Sequence, residues 1–244
     1  QAISYLVEHY SVIELSKIEN YKISKSSKFP LVITFDDGHK SNYDLLHIIR
    51  KYKIPVTIFL TSGVIGTNRH FWFIKKNELK SSFNLKKMSN QKRLEDLSVV
   101  GFDQLQEYEN SQALSREQIM EMTPYVDFQS HTMFHPILPM CDYKTARFEI
   151  KESKKILEEE YGFNIYALAY PNGDYSEREI EICKEAGYKM GLTTESGFND
   201  YKTDSFMLKR IGTNDTEDIN EFILRVSGVW HIGLKLKRFL FFWK

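Results

Sequence analysis

Long apolar runs are missing from this chain of 244 residues. Nothing approaches the roughly 18 consecutive apolar residues of a membrane-spanning helix, so no such span is expected. Cysteine is scarce as well. The two present, Cys141 and Cys183, have neither the CxxC spacing of a zinc cage nor the number for a disulfide framework, and they read as ordinary thiols. Neither sign of charge dominates, since Lys plus Arg equals Asp plus Glu at 33 each, which gives no global attraction for nucleic acid or an acidic membrane surface. No Met, charged leader or signal-type apolar core opens the chain. Residues 1–10 instead space their apolar side chains as a helix does, so a processed or truncated start is expected.

What is present is 42% hydrophobic and 27% charged residues, enough for one domain with a large core. Short β-branched runs predict strands at 11–15, 30–36, 56–60, 125–129, 165–170, 188–193 and 206–211. Between them, apolar periodicity predicts helices at 41–52, 142–161 and 216–229, and capping boxes open two more at Ser115 and Ser176. Strands alternating with helices predict a parallel α/β architecture. The domain is expected to cover 1–229, with a polar and partly aromatic insertion at about 67–114. Within it, Phe71-Trp72-Phe73 either packs the insertion down or offers a sugar ring a flat platform. The remainder, 230–244, mixes basic and apolar residues. It is expected either to touch a membrane surface or to dock on the domain.

Three predicted strand ends carry chemistry-bearing residues: Asp36-Asp37 after one, His131 and His135 after another, Tyr170-Pro171-Asn172-Gly173 after a third. In a parallel barrel these ends converge on one face. Histidines four apart project from one side of a helical turn and can share a metal. The zinc-protease version of that spacing needs Glu after the first His, and Thr132 stands there. A carboxylate at an equivalent strand end completes a His-His-Asp set, which leaves coordination positions open as a catalytic site requires. The second aspartate remains free to accept a proton. An iron facial triad of an oxygenase uses the same donors.

In this order, Thr34-Phe35-Asp36-Asp37-Gly38, His131-Thr132-Met133-Phe134-His135 and Tyr170-Pro171-Asn172-Gly173 resemble the signature motifs of the polysaccharide deacetylase family, carbohydrate esterase family four. The resemblance implies a distorted parallel (β/α) barrel of seven strands. It also implies a metal-dependent hydrolase acting on non-peptide C–N bonds, most often the N-acetyl groups of amino sugars in a polysaccharide or glycan intermediate. Carried over by position, Asp36 is the catalytic base, and Asp37, His131 and His135 are the metal ligands. Tyr170, Pro171 and Asn172 line the substrate groove and oxyanion site, and Asn172 stands where many relatives have Tyr. The implied cofactor is a divalent ion, zinc first, with nickel, cobalt, iron or manganese as alternatives.

Two departures follow. Ala169 stands where relatives with an Arg in the third motif use it to hold the base, and Arg210 at a later strand end is the candidate replacement, the alternative being an ordinary surface arginine. The general acid is unassigned. His39 and His70 are candidates within the chain, and an envelope-polysaccharide subgroup carries its acid in a Tyr-His motif upstream of the first aspartate pair. The expected partner is an acetylated oligo- or polysaccharide at the bacterial cell envelope or the cytoplasmic face of the membrane. A catalytically impaired carbohydrate-binding or scaffold protein on the same fold is the alternative.

Overall fold

The extended run 30–36, expected as one strand, serves two sheets. In the computed structural model, which describes residues 1–20, 28–75, 85–213 and 218–229, the chain begins with α1 (Ala2–His9), β1 (Ser11–Val12), β2 (Pro30–Leu31) and β3 (Thr34–Phe35). Strand β2 pairs in parallel with β1 (Ser11 opposite Pro30, Val12 opposite Leu31). Two residues later the same run turns to the main sheet, where Ile33 accepts the Thr57 N–H at 3.0 Å. The stretch expected as loop after Leu15 begins instead with 3₁₀ turns at Leu15–Asn20.

The main elements follow as α2 (Leu46–Tyr52), β4 (Val56–Leu60), α3 (Trp72–Lys75), α4 (Asn90–Ser98), α5 (Arg116–Met122), β5 (Val126–Ser130), α6 (Tyr143–Glu159), β6 (Ala167–Ala169), α7 (Glu177–Glu185), β7 (Met190–Ser196), β8 (Leu208–Arg210) and α8 (Ile219–Val226). Strands β3 to β8 form one six-stranded sheet in sequence order, and each adjacent pair is parallel. The parallel α/β architecture is therefore as expected, as a curled half-barrel. Among the described residues it has six strands rather than seven, because the first predicted strand pairs with β2 outside the main sheet.

Local chemistry explains these elements. All five residues of β4, Val-Thr-Ile-Phe-Leu, are buried, as a central parallel strand covered on both faces requires. The Ser115 capping box opens α5, and the Asp142 carboxylate caps α6 by accepting the Thr145 N–H at 2.7 Å. Beneath the site face the enclosed core contains Phe59, Ala167, Ala169, Leu192 and Leu208. Strands β5 and β6 share a single register pair, Ser130 with Leu168. There the Gln129 side-chain carbonyl accepts the N–H groups of Tyr166 and Ala167, both at 2.9 Å, and so stands in for missing ladder bonds.

The insertion contains α3 and α4 and reaches both loops that carry the candidate ligands. Lys40 N–H donates to Gln112 O at 2.9 Å and Leu114 N–H to Gly38 O at 2.9 Å, which ties its end to the Asp36-Asp37 turn. Phe71 and Trp72 are buried, so these rings pack the insertion down. The tail at 230–244 lies outside the described residues, and among those residues no helix is long and apolar enough to cross a membrane.

Candidate active site

Strand β3 ends at Phe35, and the chain turns at once: Asp37 and Gly38 both adopt left-handed backbone, at φ 71° and 70°. A side chain at Gly38 would also place its Cβ 2.7 Å from Leu60 Cδ2, so glycine is needed there for space as well as for φ. This turn sends the two neighbouring carboxylates to different partners.

Asp37 faces the histidines. Its Oδ1 lies 3.4 Å from Nε2 of His131 and 3.4 Å from Nε2 of His135. The imidazoles do not meet on a helical turn, as the spacing suggests. They lie on an irregular loop after β5, in which Thr132 (φ 67°) and His135 (φ 57°) are left-handed, and this loop brings the ring centroids to 4.8 Å. His131 is almost fully buried, and its Nδ1–H donates to Ala169 O at 2.7 Å. That bond leaves the Nε2 lone pair aimed at Asp37. His135 has no such bond, for its Nδ1 is buried without a hydrogen-bond partner. Its surroundings hold it instead: Phe73 meets its ring edge-on at 4.8 Å, and Trp72 Nε1–H donates to its carbonyl at 2.7 Å.

The donor atoms of these three side chains fit a divalent metal ion. Asp37 Oδ1 is buried and lacks a hydrogen-bond partner, and the three donor atoms lie within 4.8 Å of one another. Tetrahedral bonds of about 2.1 Å set neighbouring donors about 3.4 Å apart, which matches both Asp37 to histidine distances. The electrostatics also favour a cation. Burial pushes the His135 imidazole down to about 4, helped by the charge of His131, so His135 is neutral at physiological pH. Burial acts the same way on His131 but is outweighed by Asp36 and then Asp37, which raise it. The carboxylates thus favour positive charge beside them.

Asp36 faces Arg210 instead. Nη1 and Nη2 of Arg210 donate to its two carboxylate oxygens at 2.7 and 2.8 Å. Arg210 is itself fixed by Nε donating to Thr193 O at 2.8 Å and by Nη1 reaching Thr34 Oγ1 at 3.4 Å. It ends β8, and Thr34 begins β3, so the guanidinium joins the two edges of the curled sheet. Burial pushes the Asp36 carboxyl up, but Arg210, followed by His131, outweighs it and holds the group at about 2.

The third predicted strand end departs from expectation in one respect. Tyr170 is fully buried, its hydroxyl donates to Phe206 O at 3.2 Å, and its ring stacks on Tyr175. Its side chain is a core residue and does not line a groove. Pro171 is buried too. Asn172 sits at φ 56°, with its carbonyl accepting Thr194 Oγ1–H at 3.0 Å, so this segment offers the site a held backbone turn. The two candidate acids are committed to local structure. His39 Nδ1 accepts the Ser41 N–H at 3.3 Å, whereas His70 Nε2 bonds Asn110 O at 2.8 Å and its ring stacks on Tyr108.

Sequence reasoning misses Glu149. Its carboxylate is buried and accepts the N–H groups of Met133 and Phe134, each at 2.9 Å. Burial raises it to about 7 against those bonds. The signal that finds it is positional: on α6 it shares the buried stripe of Ala146, Ile150, Ser153 and Leu157, where a charged residue is unusual.

Similarity to known proteins bears on the family and the fold. The polysaccharide deacetylase family model matches residues 24–191. The Bacillus subtilis (strain 168) protein YxkH is 25% identical over 77% of this chain and 52% of its own length. The poly-β-1,6-N-acetyl-D-glucosamine N-deacetylase of Staphylococcus epidermidis is 27% identical over 79% of this chain and 58% of its own. The chain therefore spans little more than half the length of these relatives. Among solved structures, the Streptococcus pyogenes deacetylase PplD in complex with acetate superposes with a TM-score of 0.66 at 21% identity, covering 92% of this chain and 84% of that one. IcaB from Ammonifex degensii gives 0.63 at 19% identity, over 88% and 82%. With its family model matched from before the aspartate pair to beyond the third strand end, and its fold shared with solved deacetylases, the chain belongs to the polysaccharide deacetylase family.

Proposed function

We propose that this chain removes acetyl groups from the amino sugars of a polysaccharide, by metal-dependent hydrolysis of the N-acetyl C–N bond. The observation that carries the reading is the division of the aspartate pair: Asp37 beside two imidazole nitrogens and Asp36 in the fork of Arg210. Asp37, His131 and His135 would hold the ion, zinc first, with other divalent ions fitting the same donors. When bound, such an ion supplies Lewis acidity, which makes water a better nucleophile at neutral pH and polarises the acetyl carbonyl.

The chain's own residues do the rest. Asp36, ionised at neutral pH because Arg210 outweighs burial, accepts the proton of the attacking water at its carboxylate. Arg210 is its positioning residue, since a two-pronged grip fixes the plane of the carboxylate. The N–H of Asn172 donates to the oxygen that gains charge as the carbonyl carbon becomes tetrahedral. Collapse breaks the C–N bond as the proton taken from the water passes to the departing nitrogen, which leaves as a free amine, and the acetic acid formed ionises to acetate. The names of the staphylococcal relatives support an N-acetylglucosamine polymer as substrate.

The test is acetate release from poly-β-1,6-N-acetylglucosamine oligomers by the full chain, with chelator and Asp36→Asn as controls. Release that both controls abolish supports the proposal. Release unaffected by either rejects it.

A further inference from the structure

The loop 131–135 that presents both histidines has every N–H accounted for. His131 donates to Leu60 O at 2.8 Å, Thr132 to Ser130 Oγ at 3.4 Å, and His135 to Thr132 Oγ1 at 3.2 Å. The two at its apex, Met133 and Phe134, converge on a single atom, Oε2 of Glu149. On the other side, Thr132 O and Met133 O accept the N–H groups of Ser62 and Gly63 at 3.0 and 2.8 Å. The loop is thus clamped between the end of β4 and a carboxylate of α6.

The clamp matters because the loop conformation is not one its residues favour. Two non-glycine residues, one of them the β-branched Thr132, are left-handed, a state that persists only when its surroundings over-determine it. Successive N–H groups in such a turn form a concave nest for an acceptor, and a carboxylate oxygen of Glu149 fills it. The two imidazoles depend on this loop unequally. The Nδ1 of His131 has its own bond to Ala169 O, but the Nδ1 of His135 is buried without a partner, so no bond behind the ring fixes it and its place depends on the backbone that carries it.

We propose that Glu149 is a second positioning residue of this site: by holding the N–H groups of Met133 and Phe134, its buried carboxyl group sets the loop conformation that brings His135 beside Asp37 and His131. This rests on reading Asp37, His131 and His135 as metal ligands. Glu149 touches neither substrate nor ion. It acts on metal affinity through the loop.

The experiment titrates the metal-stripped full chain with Co2+, reading both the dissociation constant and the visible absorption that reports ligand geometry. Glu149→Gln keeps the shape and one neutral acceptor, whereas Glu149→Ala removes the acceptor altogether. If Glu149→Ala does not fold, Glu149→Gln alone decides. Loss of an outer partner of a metal ligand weakens binding roughly 10- to 100-fold. That range is expected for Glu149→Gln, with Glu149→Ala at or beyond its upper end and the absorption bands changed in both. Ile119→Ala, in the buried core at α5, is destabilised without touching the loop and should bind Co2+ as the wild type does. Variants of Glu149 that fold and bind Co2+ with wild-type affinity and spectrum would overturn the inference while leaving the metal site standing. A wild-type chain that takes up no Co2+ would overturn the metal-site reading, and this inference with it.

Discussion

Replacing Arg210 by Met tests the arrangement around Asp36 without changing a ligand of the proposed metal site. The substitution keeps most of the side-chain length but removes the two bonds to the carboxylate, at 2.7 and 2.8 Å, and those to Thr193 O and Thr34 Oγ1. Breaking a fully buried ion pair costs about 3–5 kcal/mol. With Arg210 17% and Asp36 29% exposed, water screens part of this, and a loss of about 2–3 kcal/mol in stability is expected. Two effects on activity follow. A carboxylate free to rotate loses alignment with its proton donor, which corresponds to about a 100-fold fall in kcat. Burial, no longer opposed by the guanidinium, carries the Asp36 carboxyl upward from about 2, so the acidic limb of the pH–rate profile moves to higher pH. The assay is acetate release from N-acetylglucosamine oligomers across pH 4 to 9, at saturating metal, for wild type, Arg210→Met, Asp36→Asn and the double variant. If Arg210 acts through Asp36, adding Arg210→Met to Asp36→Asn costs little more than Asp36→Asn alone. Wild-type kcat in Arg210→Met with an unmoved acidic limb would refute the reasoning.

Two other outcomes are expected. The metal-free protein should lose stability in acid in a way traceable to Asp36: its folded carboxyl is depressed from 3.8 to about 2, so the stabilisation is complete above the ordinary value and fades as pH falls toward 2. The contribution is about 2 kcal/mol, and comparing urea midpoints of wild type and Asp36→Asn at pH 6 and pH 2.5 should show the difference between them shrinking. Gly173→Ala should destabilise the turn after β6, because a Cβ there would lie 2.1 Å from Thr194 Oγ1 and 2.5 Å from Thr194 N at a φ of 75°. A melting temperature lowered by several degrees, with kcat reduced more than Co2+ affinity, is the expected result.

Much of this architecture is readable from residue order. Buried β-branched runs alternating with capped helices suffice for the parallel sheet, because both signals are local. Unusual residues at successive strand ends suffice to bring Asp36, Asp37, His131 and His135 to one face, because parallel topology does the assembling. The rest depends on backbone details that periodicity does not encode. The histidine pair suggests a helical turn, yet left-handed Thr132 and His135 produce the same proximity by another route. The run 30–36 reads as one strand, but it is divided between two sheets by which neighbour each half meets. Tyr170 sits beside a motif that suggests substrate contact, and strand alternation turns its ring into the core. Arg210 is separated from Asp36 by 174 positions; its place at a later strand end makes it a candidate to hold the base, with a surface arginine as the alternative, and the curl of the sheet decides that they meet. Glu149 is a case where the pattern itself carries the information: a carboxylate on the apolar stripe of α6 calls for a buried partner.

The central claim is that Asp37, His131 and His135 hold the ion on which deacetylation depends, while Asp36 moves the proton. Measuring bound metal and acetate release together on metal-stripped protein, as Zn2+ is added back, tests it most directly. The account predicts that activity rises in proportion to bound ion and saturates near one ion per chain, that His135→Ala shifts both curves to higher Zn2+, and that Asp36→Asn binds the ion but keeps only a small residual rate of acetate release. Full acetate release from protein stripped of metal, or wild-type turnover by Asp36→Asn, would contradict it.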